Sequence, residues 1–244
     1  MFTGIVQGPA AVLKLTALEG LIRFELQFPP GFSAGLAIGA SVSCDGVCLT
    51  VTALTGPERA CFDVMQQSLH LTTLSTLQVG SVLNVERAAK DGAEIGGHPL
   101  SGHVDCQARI DSVFQPANNH VLRLDVPAPW MRYIFAKGYI AVNGASLTVA
   151  QAHRGAQGAG WFEVWLIPET LRMTTFGQKA VGDMLNIEID RSTQVVVDTV
   201  REAIAEKLGP LLPALEAFAR ERGLDLAPLG DALSLPTPGQ LPKP

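Results

Sequence analysis

Cys48 and Ser146 occupy the same place in two nearly identical stretches of one chain. Residues 45 to 51 read Asp-Gly-Val-Cys-Leu-Thr-Val, and residues 143 to 149, 98 positions later, read Asn-Gly-Ala-Ser-Leu-Thr-Val. A thiol is a far better nucleophile than a hydroxyl, so the copies agree in pattern and differ in chemistry. An isolated cysteine in an apolar run is usually an inert packed side chain. That reading suits Cys44, Cys61 and Cys106. Along an extended strand, however, Cys48 and Thr50 point away from Leu49 and Val51. If Leu49 and Val51 fill a core, the Cys48 thiol faces outward.

The elements that must carry these residues also come twice. Thr3-Gly4-Ile5-Val6 pairs with Ser101-Gly102-His103-Val104 at an offset of 98, and Phe62-Asp63-Val64 with Phe162-Glu163-Val164 at 100. Leu83-Asn84-Val85-Glu86 pairs with Leu185-Asn186-Ile187-Glu188 at 102. Order is kept and the offset drifts by only four residues, which a few loop insertions explain. The chain therefore divides into two homologous modules, residues 1–97 and 98–190. Each is rich in Val, Ile, Leu and Thr in short runs broken by Gly, Pro, Asn and Asp, the signature of an all-β unit. Asp45-Gly46 and Asn143-Gly144 are two-residue hairpin turns, since both positions of such a pair tolerate positive φ. About six strands in so small a module are expected to close into a barrel, which removes the exposed sheet edges, an open sandwich being the alternative.

Bulk composition narrows the function. The chain has 244 residues, 47% hydrophobic and 17% charged, which suits a packed core over most of its length. A net charge of −5 and a pI near 5.5 leave no basic footprint for nucleic acid and disfavour anionic membranes. No apolar run reaches the ~18 residues of a membrane span. No basic residue precedes Lys14, so no secretory signal is read and a cytoplasmic protein with reduced thiols is expected. The cysteines form no C-x-x-C pair and no histidines stand at zinc-finger spacing, so no metal is expected.

After Asp190 the pattern changes. Val196, Val200, Ala203, Ile204 and Leu208 form an apolar stripe at helical spacing over 191–208, with Ser192 as the expected N-cap and Gly209-Pro210 as the stop. Such a helix, following two complete barrels, either packs on its own barrels or pairs with copies of itself, and self-association is the expectation. Residues 209–244 are expected to hold a second short helix over 211 to 222 and a Pro-rich disordered tail from Leu224.

The longer motifs resemble the riboflavin synthase family. They are Met1-Phe2-Thr3-Gly4-Ile5-Val6, Gly46-Val47-Cys48-Leu49-Thr50-Val51, Gly96-Gly97-His98-Pro99-Leu100-Ser101-Gly102-His103, Gly144-Ala145-Ser146-Leu147-Thr148-Val149 and Ile167-Pro168-Glu169-Thr170-Leu171. The resemblance runs from residue 1 to about 208. It implies two six-stranded barrels, a C-terminal helix gathering three chains, and a dismutation without metal or redox cofactor. Two molecules of 6,7-dimethyl-8-ribityllumazine react, one giving four carbons to the other, to yield riboflavin and 5-amino-6-(ribitylamino)pyrimidinedione. The duplication then has a chemical meaning, because a reaction between two copies of one molecule needs two similar surfaces facing each other. A non-catalytic lumazine- or flavin-binding antenna or carrier of the same superfamily would keep the barrels and lose the reactive residues.

The resemblance also carries residue roles. Cys48 would assist at the electrophilic C7 of one bound lumazine, and Ser146 would make the matched polar contact in module two. His103 replaces what is Ile5 in module one, and an imidazole can move the protons that a methyl deprotonation and an elimination require. Phe2 would form a wall against the flat ring and Ser41 would hydrogen-bond the ring or the thiol. Lys137, Gly4, Ile5, Val6, Leu49, Thr50, Asp63, Met65, Gly102, Val104, Leu147, Thr148, Ile167 and Pro168 complete the expected substrate contacts. Glu169-Thr170 is the pair the family usually carries in both barrels for ribityl hydroxyls or ring atoms; module one has Gln67-Ser68 instead. His98, five residues before His103 and so on the opposite face of any strand, reads as structural.

Overall fold

The chain is represented by a computed structural model that describes residues 1–116 and 119–222. Twelve strands form two closed antiparallel barrels. The first contains β1 (Gly8–Leu18), β2 (Leu21–Gln27), β3 (Ser41–Cys44), β4 (Val47–Gly56), β5 (Arg59–Met65) and β6 (Val82–Arg87). The second contains β7 (Cys106–Phe114), β8 (His120–Val126), β9 (Tyr139–Val142), β10 (Ala145–Arg154), β11 (Gly160–Leu166) and β12 (Met184–Ile189). The cyclic order β1-β2-β5-β4-β3-β6 recurs as β7-β8-β11-β10-β9-β12, so the duplication read from sequence is a duplication of topology. Even the irregularities repeat. The register slips between Val12 and Lys14 on β1 and between Ile110 and Ser112 on β7, and again between Val51 and Ala53 on β4 and between Val149 and Gln151 on β10. Bulges at equal places bend the strands equally, which closing so short a sheet requires.

Inward-facing residues of alternating strands fill each barrel. Phe24, Leu26, Val42, Leu49, Val51 and Phe62 belong to the first core; Ile110, Leu122, Leu124, Ile140 and Phe162 are among the buried residues of the second barrel. Three short helices follow strands: α1 (Gln66–Leu71) after β5, α2 (Ala128–Met131) after β8, and α3 (Pro168–Met173) after β11.

The two barrels meet along a pseudo-two-fold seam. Phe2 and Leu100, equivalent residues, form an antiparallel bridge with each other, N–H to O at 2.8 and 3.0 Å. The Asp45-Gly46 and Asn143-Gly144 turns pack face to face, with φ of 45° and 84° in the first and 42° and 78° in the second. A Cβ on Gly46 would lie 2.8 Å from the Gly144 nitrogen, and one on Gly144 would lie 2.9 Å from the Gly46 nitrogen, so only glycine allows this approach. The Asn84 amide nitrogen donates to the Asn143 carbonyl (3.0 Å) and the Asn186 amide nitrogen to the Asp45 carbonyl (2.9 Å). Each of these buried asparagines also accepts from the other module, Asn84 from the Thr175 N–H and Asn186 from the Thr73 N–H, both at 2.8 Å. Fully bonded buried amides fix the register of the two barrels.

A second unit begins at Arg191. It holds α4 (Arg191–Leu208), a 3-10 turn at Gly209–Leu211, and α5 (Leu212–Arg222). Only Asp190 separates the end of β12 from α4, so Ser192 lies inside the first turn and does not cap it. Val195, Val196, Val200, Ile204 and Leu208 of α4 are exposed apolar residues. The segment from Leu224 lies outside the described residues.

Candidate active site

Each module's first loop crosses the seam and lies on the other module's hairpin. The Gly4 carbonyl accepts from the Ser146 N–H and the Gly102 carbonyl from the Cys48 N–H, both at 2.8 Å. Glycine is required in both loops. Gly4 and Gly102 have φ of 75° and 80°, and an added Cβ would fall 2.4 Å from Ser146 Cβ and 2.5 Å from Cys48 Cβ respectively. Ile5 therefore belongs with Ser146, and Val104 packs on the first barrel's core, on the Cys48 side. Each site is thus built from both halves of the chain.

Buried carboxylates hold the loops down. Glu86 accepts from the Thr3 N–H (2.6 Å), the Thr3 hydroxyl (2.7 Å) and the Gly4 N–H (3.0 Å). Glu188 repeats the arrangement with the Ser101 N–H (2.6 Å), the Ser101 hydroxyl (2.8 Å) and the Gly102 N–H (3.0 Å). Burial raises both carboxyls above their ordinary pKa, and these donors pull the other way. Removing Glu188 as Glu188→Ala is expected to release the 101–104 loop from Cys48 and to cost at least about tenfold in turnover. Faster hydrogen exchange at Ser101 and Gly102 would accompany that loss; unchanged exchange and turnover would contradict the anchoring role.

On the second barrel these elements enclose a cavity of about 260 Å³. Its walls include Ile5, Val6, Ser146, Leu147, Glu169 and Thr170. The Ser146 hydroxyl lies 2.6 Å from His98 Nδ1. His98 is buried, its ring stacks on Tyr139 with centroids 5.2 Å apart, and its Nε2 has no hydrogen-bond partner among the described residues. Desolvation lowers the His98 pKa, with Asp190 opposing, so the neutral imidazole is favoured at neutral pH and can take the serine proton. Sequence alternation suggested a structural His98 on an opposite strand face. Residues 98–105 form no strand beyond the Leu100 bridge, so alternation does not govern them, and the turn brings His98 onto Ser146.

On the first barrel Val47, Leu49 and Val51 enter the core and Cys48 faces away from it. Cys48 is half-buried against the cluster of Phe2, Leu100 and Ala141. Burial pushes the thiols of Cys44, Cys61 and Cys106 upward, which makes them poor nucleophiles. Phe2 is only 1% exposed, and its ring lies beneath Cys48 and Gly102. It can act as a buried wall, not as an open stacking surface. Ser41 pairs with Thr50 across β3 and β4, and its twin Tyr139 pairs with Thr148. His103, exposed, sits in the loop held by Glu188, where its N–H donates to the Ser101 hydroxyl.

The remaining expected contacts divide. Leu49 is buried in the first core, while its twin Leu147 reaches the second cavity. Asp63 is engaged by Arg23 at 2.7 and 2.8 Å, as its counterpart Glu163 is by Arg123. Met65 and Ile167 are exposed residues just ahead of α1 and α3; Ile167 and Pro168 do not line the second cavity. Lys137 takes the left-handed conformation at φ 68°, its N–H donating to the Val149 carbonyl at 2.7 Å. Its twin at that turn is Gly39, φ 89°, with an equivalent bond to Val51 of 2.9 Å. Sequence reasoning missed the anchoring roles of Glu86 and Glu188, although both are repeated at the ends of matched apolar strands. The contact of His98 with Ser146 was likewise not readable from the repeat.

A profile of the lumazine binding domain matches residues 3–88 and again 101–190. Over 208 residues the chain is 42% identical to the riboflavin synthase of Escherichia coli (strain K12), covering 85% of this chain and 95% of that one. The chain belongs to the riboflavin synthase family. The riboflavin synthase of Mycobacterium tuberculosis (strain ATCC 25618 / H37Rv) is 39% identical over 203 residues, 83% of this chain and 100% of its own. Crystal structures of LumP complexed with riboflavin (TM-score 0.70, 23% identity) and with 6,7-dimethyl-8-(1'-D-ribityl) lumazine (TM-score 0.68, 22% identity) each match over 78% of this chain and 100% of theirs. At that identity the likeness speaks for the fold.

Proposed function

We propose that the chain is a riboflavin synthase that binds one 6,7-dimethyl-8-ribityllumazine on each barrel and transfers a four-carbon unit between them. The observation that carries this reading is the pair of equivalent sites with unequal chemistry: Cys48 in one, Ser146 against His98 in the other. Ser146 and His98 act as the base that takes a proton from the methyl group of the lumazine on barrel 2. Cys48 assists at C7 of the lumazine on barrel 1, and His103 moves protons there. The buried loops exclude water from both ligands. Purified protein given the lumazine alone is expected to develop riboflavin fluorescence. Binding without turnover would favour the antenna reading.

Lys137 serves the ligand and not the turn, since the equivalent turn uses glycine. Lys137→Gly is expected to leave the thermal midpoint unchanged or raised while turnover falls by about tenfold. A lower midpoint with normal turnover would assign the residue to the fold.

The facing pair of sites comes from the first barrel of one subunit and the second barrel of another in a homotrimer. The exposed apolar face of α4 supports this assembly. Truncation before Ser192 is expected to yield monomers by light scattering, and a surviving trimer would refute the role of the helix. Among the described residues no helix is long and apolar enough to cross a membrane. All four cysteines are free, which accords with a reducing cytoplasm.

A further inference from the structure

The two ligand sites also differ in a charged pair on the helices that follow β5 and β11. On α3, Arg172 donates to both carboxylate oxygens of Glu169, at 2.8 and 2.6 Å, and Glu169 lines the second cavity beside Ser146. The equivalent positions on α1, at the offset of 102 that relates the two segments, are Gln67 and His70. Neither side chain enters a hydrogen bond or ion pair among the described residues, and both are exposed. The helices otherwise match: the Thr72 hydroxyl donates to the Ser68 carbonyl at 2.7 Å, and the Thr174 hydroxyl to the Thr170 carbonyl at 2.6 Å. Both members of the pair differ between the barrels while the threonine bond that ends each helix is the same.

That exchange has a defined consequence for a polyhydroxy ligand. Glu169 is acceptor-only, and after its two bonds to Arg172 it retains lone pairs for ligand hydroxyls. The exposed pair with Arg172 favours one orientation of Glu169 before the ligand arrives, so part of the side-chain entropy loss precedes binding. Hydrogen bonds to a carboxylate are about twice as strong as those to an amide. Gln67 offers one neutral acceptor oxygen on a side chain that must be ordered at binding.

We propose that the two barrels bind the ribityl ligand unequally: barrel 2, which holds Glu169–Arg172, fills first, and barrel 1, with Gln67 and His70 in their place, is the weak site. This rests on the lumazine-binding reading above, and it makes α1 and α3 the elements that set the order of filling. The four-carbon exchange then begins only when barrel 1 is occupied, so substrate affinity at barrel 1 limits the rate at low concentration.

Calorimetric titration of the full chain with riboflavin, the unreactive product, tests the proposal. The wild type is expected to show two classes of site differing by about fivefold or more. The exchange Gln67→Glu with His70→Arg should tighten the weak class toward the strong one and lower the KM for lumazine. The reverse exchange, Glu169→Gln with Arg172→His, should weaken the strong class. Two equal sites that neither exchange moves, with turnover intact, would overturn the inference alone. If riboflavin binding is too weak to resolve, an unchanged KM in the Gln67→Glu, His70→Arg variant overturns it equally. A chain that neither binds riboflavin nor turns over lumazine would overturn the functional reading itself.

Discussion

Replacing Cys48 by serine is expected to lower turnover by at least about 100-fold while the fold and the oligomer persist. The fold should persist because the molecule already contains the experiment. Ser146 occupies the same strand position after the same two-residue turn, under an equivalent loop whose glycine carbonyl accepts from its N–H at the same 2.8 Å. The activity should not persist, because a serine at position 48 would lack the base that Ser146 has. Among the described residues no imidazole hydrogen-bonds to Cys48, whereas His98 Nδ1 lies 2.6 Å from the Ser146 hydroxyl. Cys61→Ser serves as the control. Its thiol is held up by burial and by the neighbouring Glu25, and its loss should leave turnover unchanged. Near-normal turnover in Cys48→Ser, measured on a chain with wild-type light scattering, would remove the thiol from the mechanism.

Asp45→Asn is expected to stabilise the protein above neutrality and to abolish most of a pH dependence between 4 and 7. Asp45 and Asn143 are twins at the seam: each accepts through Oδ1 from a backbone N–H, of Asn84 at 2.8 Å and of Asn186 at 2.7 Å. Asp45 is 2% exposed, and desolvation pushes its pKa from 3.8 up to about 7, with the bond from Asn84 and the charge of Lys179 opposing. A carboxyl that holds its proton more firmly when folded gives a native state with more bound protons across that interval. Stability therefore falls as pH rises from 4 to 7, and the deficit is complete above 7. The full interval corresponds to about 4 kcal/mol at ~1.4 kcal/mol per decade. The amide replacing it is not free of cost: Asn143 Nδ2 is buried without a partner among the described residues, a loss of about 1–3 kcal/mol. A net gain of about 2 kcal/mol at pH 8.5 is the expected balance, falling to zero or below near pH 4.5. Urea midpoints at the two pH values measure it, and equal midpoints for both proteins at pH 8.5 would show that Asp45 is solvated or paired when folded.

The fold was legible in the sequence because every level of the pattern repeats. The Asp-Gly and Asn-Gly turns, the apolar alternation of β4 and β10 and the ordered offsets all reported one topology twice. Cys48, Ser146, Gly4 and Gly102 were legible for the same reason, as matched positions or as breaks in a match. The crossing of the loops was not, because a repeat states which residues are equivalent and not which barrel each one touches. Ile5 sits with Ser146 and the Gly102 loop with Cys48 only because Phe2 and Leu100 pair across the seam. The contact of His98 with Ser146 was not legible because residues 98–105 form no regular strand, so alternation does not fix which way they face. The repeat likewise did not show that Phe2 bridges Leu100 across the seam, where it is buried. Glu86 and Glu188 escaped notice because a glutamate ending an apolar strand looks solvent-facing until the loop that covers it is known.

The central claim is that twin surfaces on one duplicated chain hold two identical pteridines for an exchange between them. Chromatographic mass balance on the purified chain, given 6,7-dimethyl-8-ribityllumazine and nothing else, tests it most directly. One riboflavin and one 5-amino-6-(ribitylamino)pyrimidinedione for every two lumazines consumed is the predicted result. Lumazine recovered intact from a chain that binds it, or riboflavin formed one-for-one from lumazine, would contradict the account.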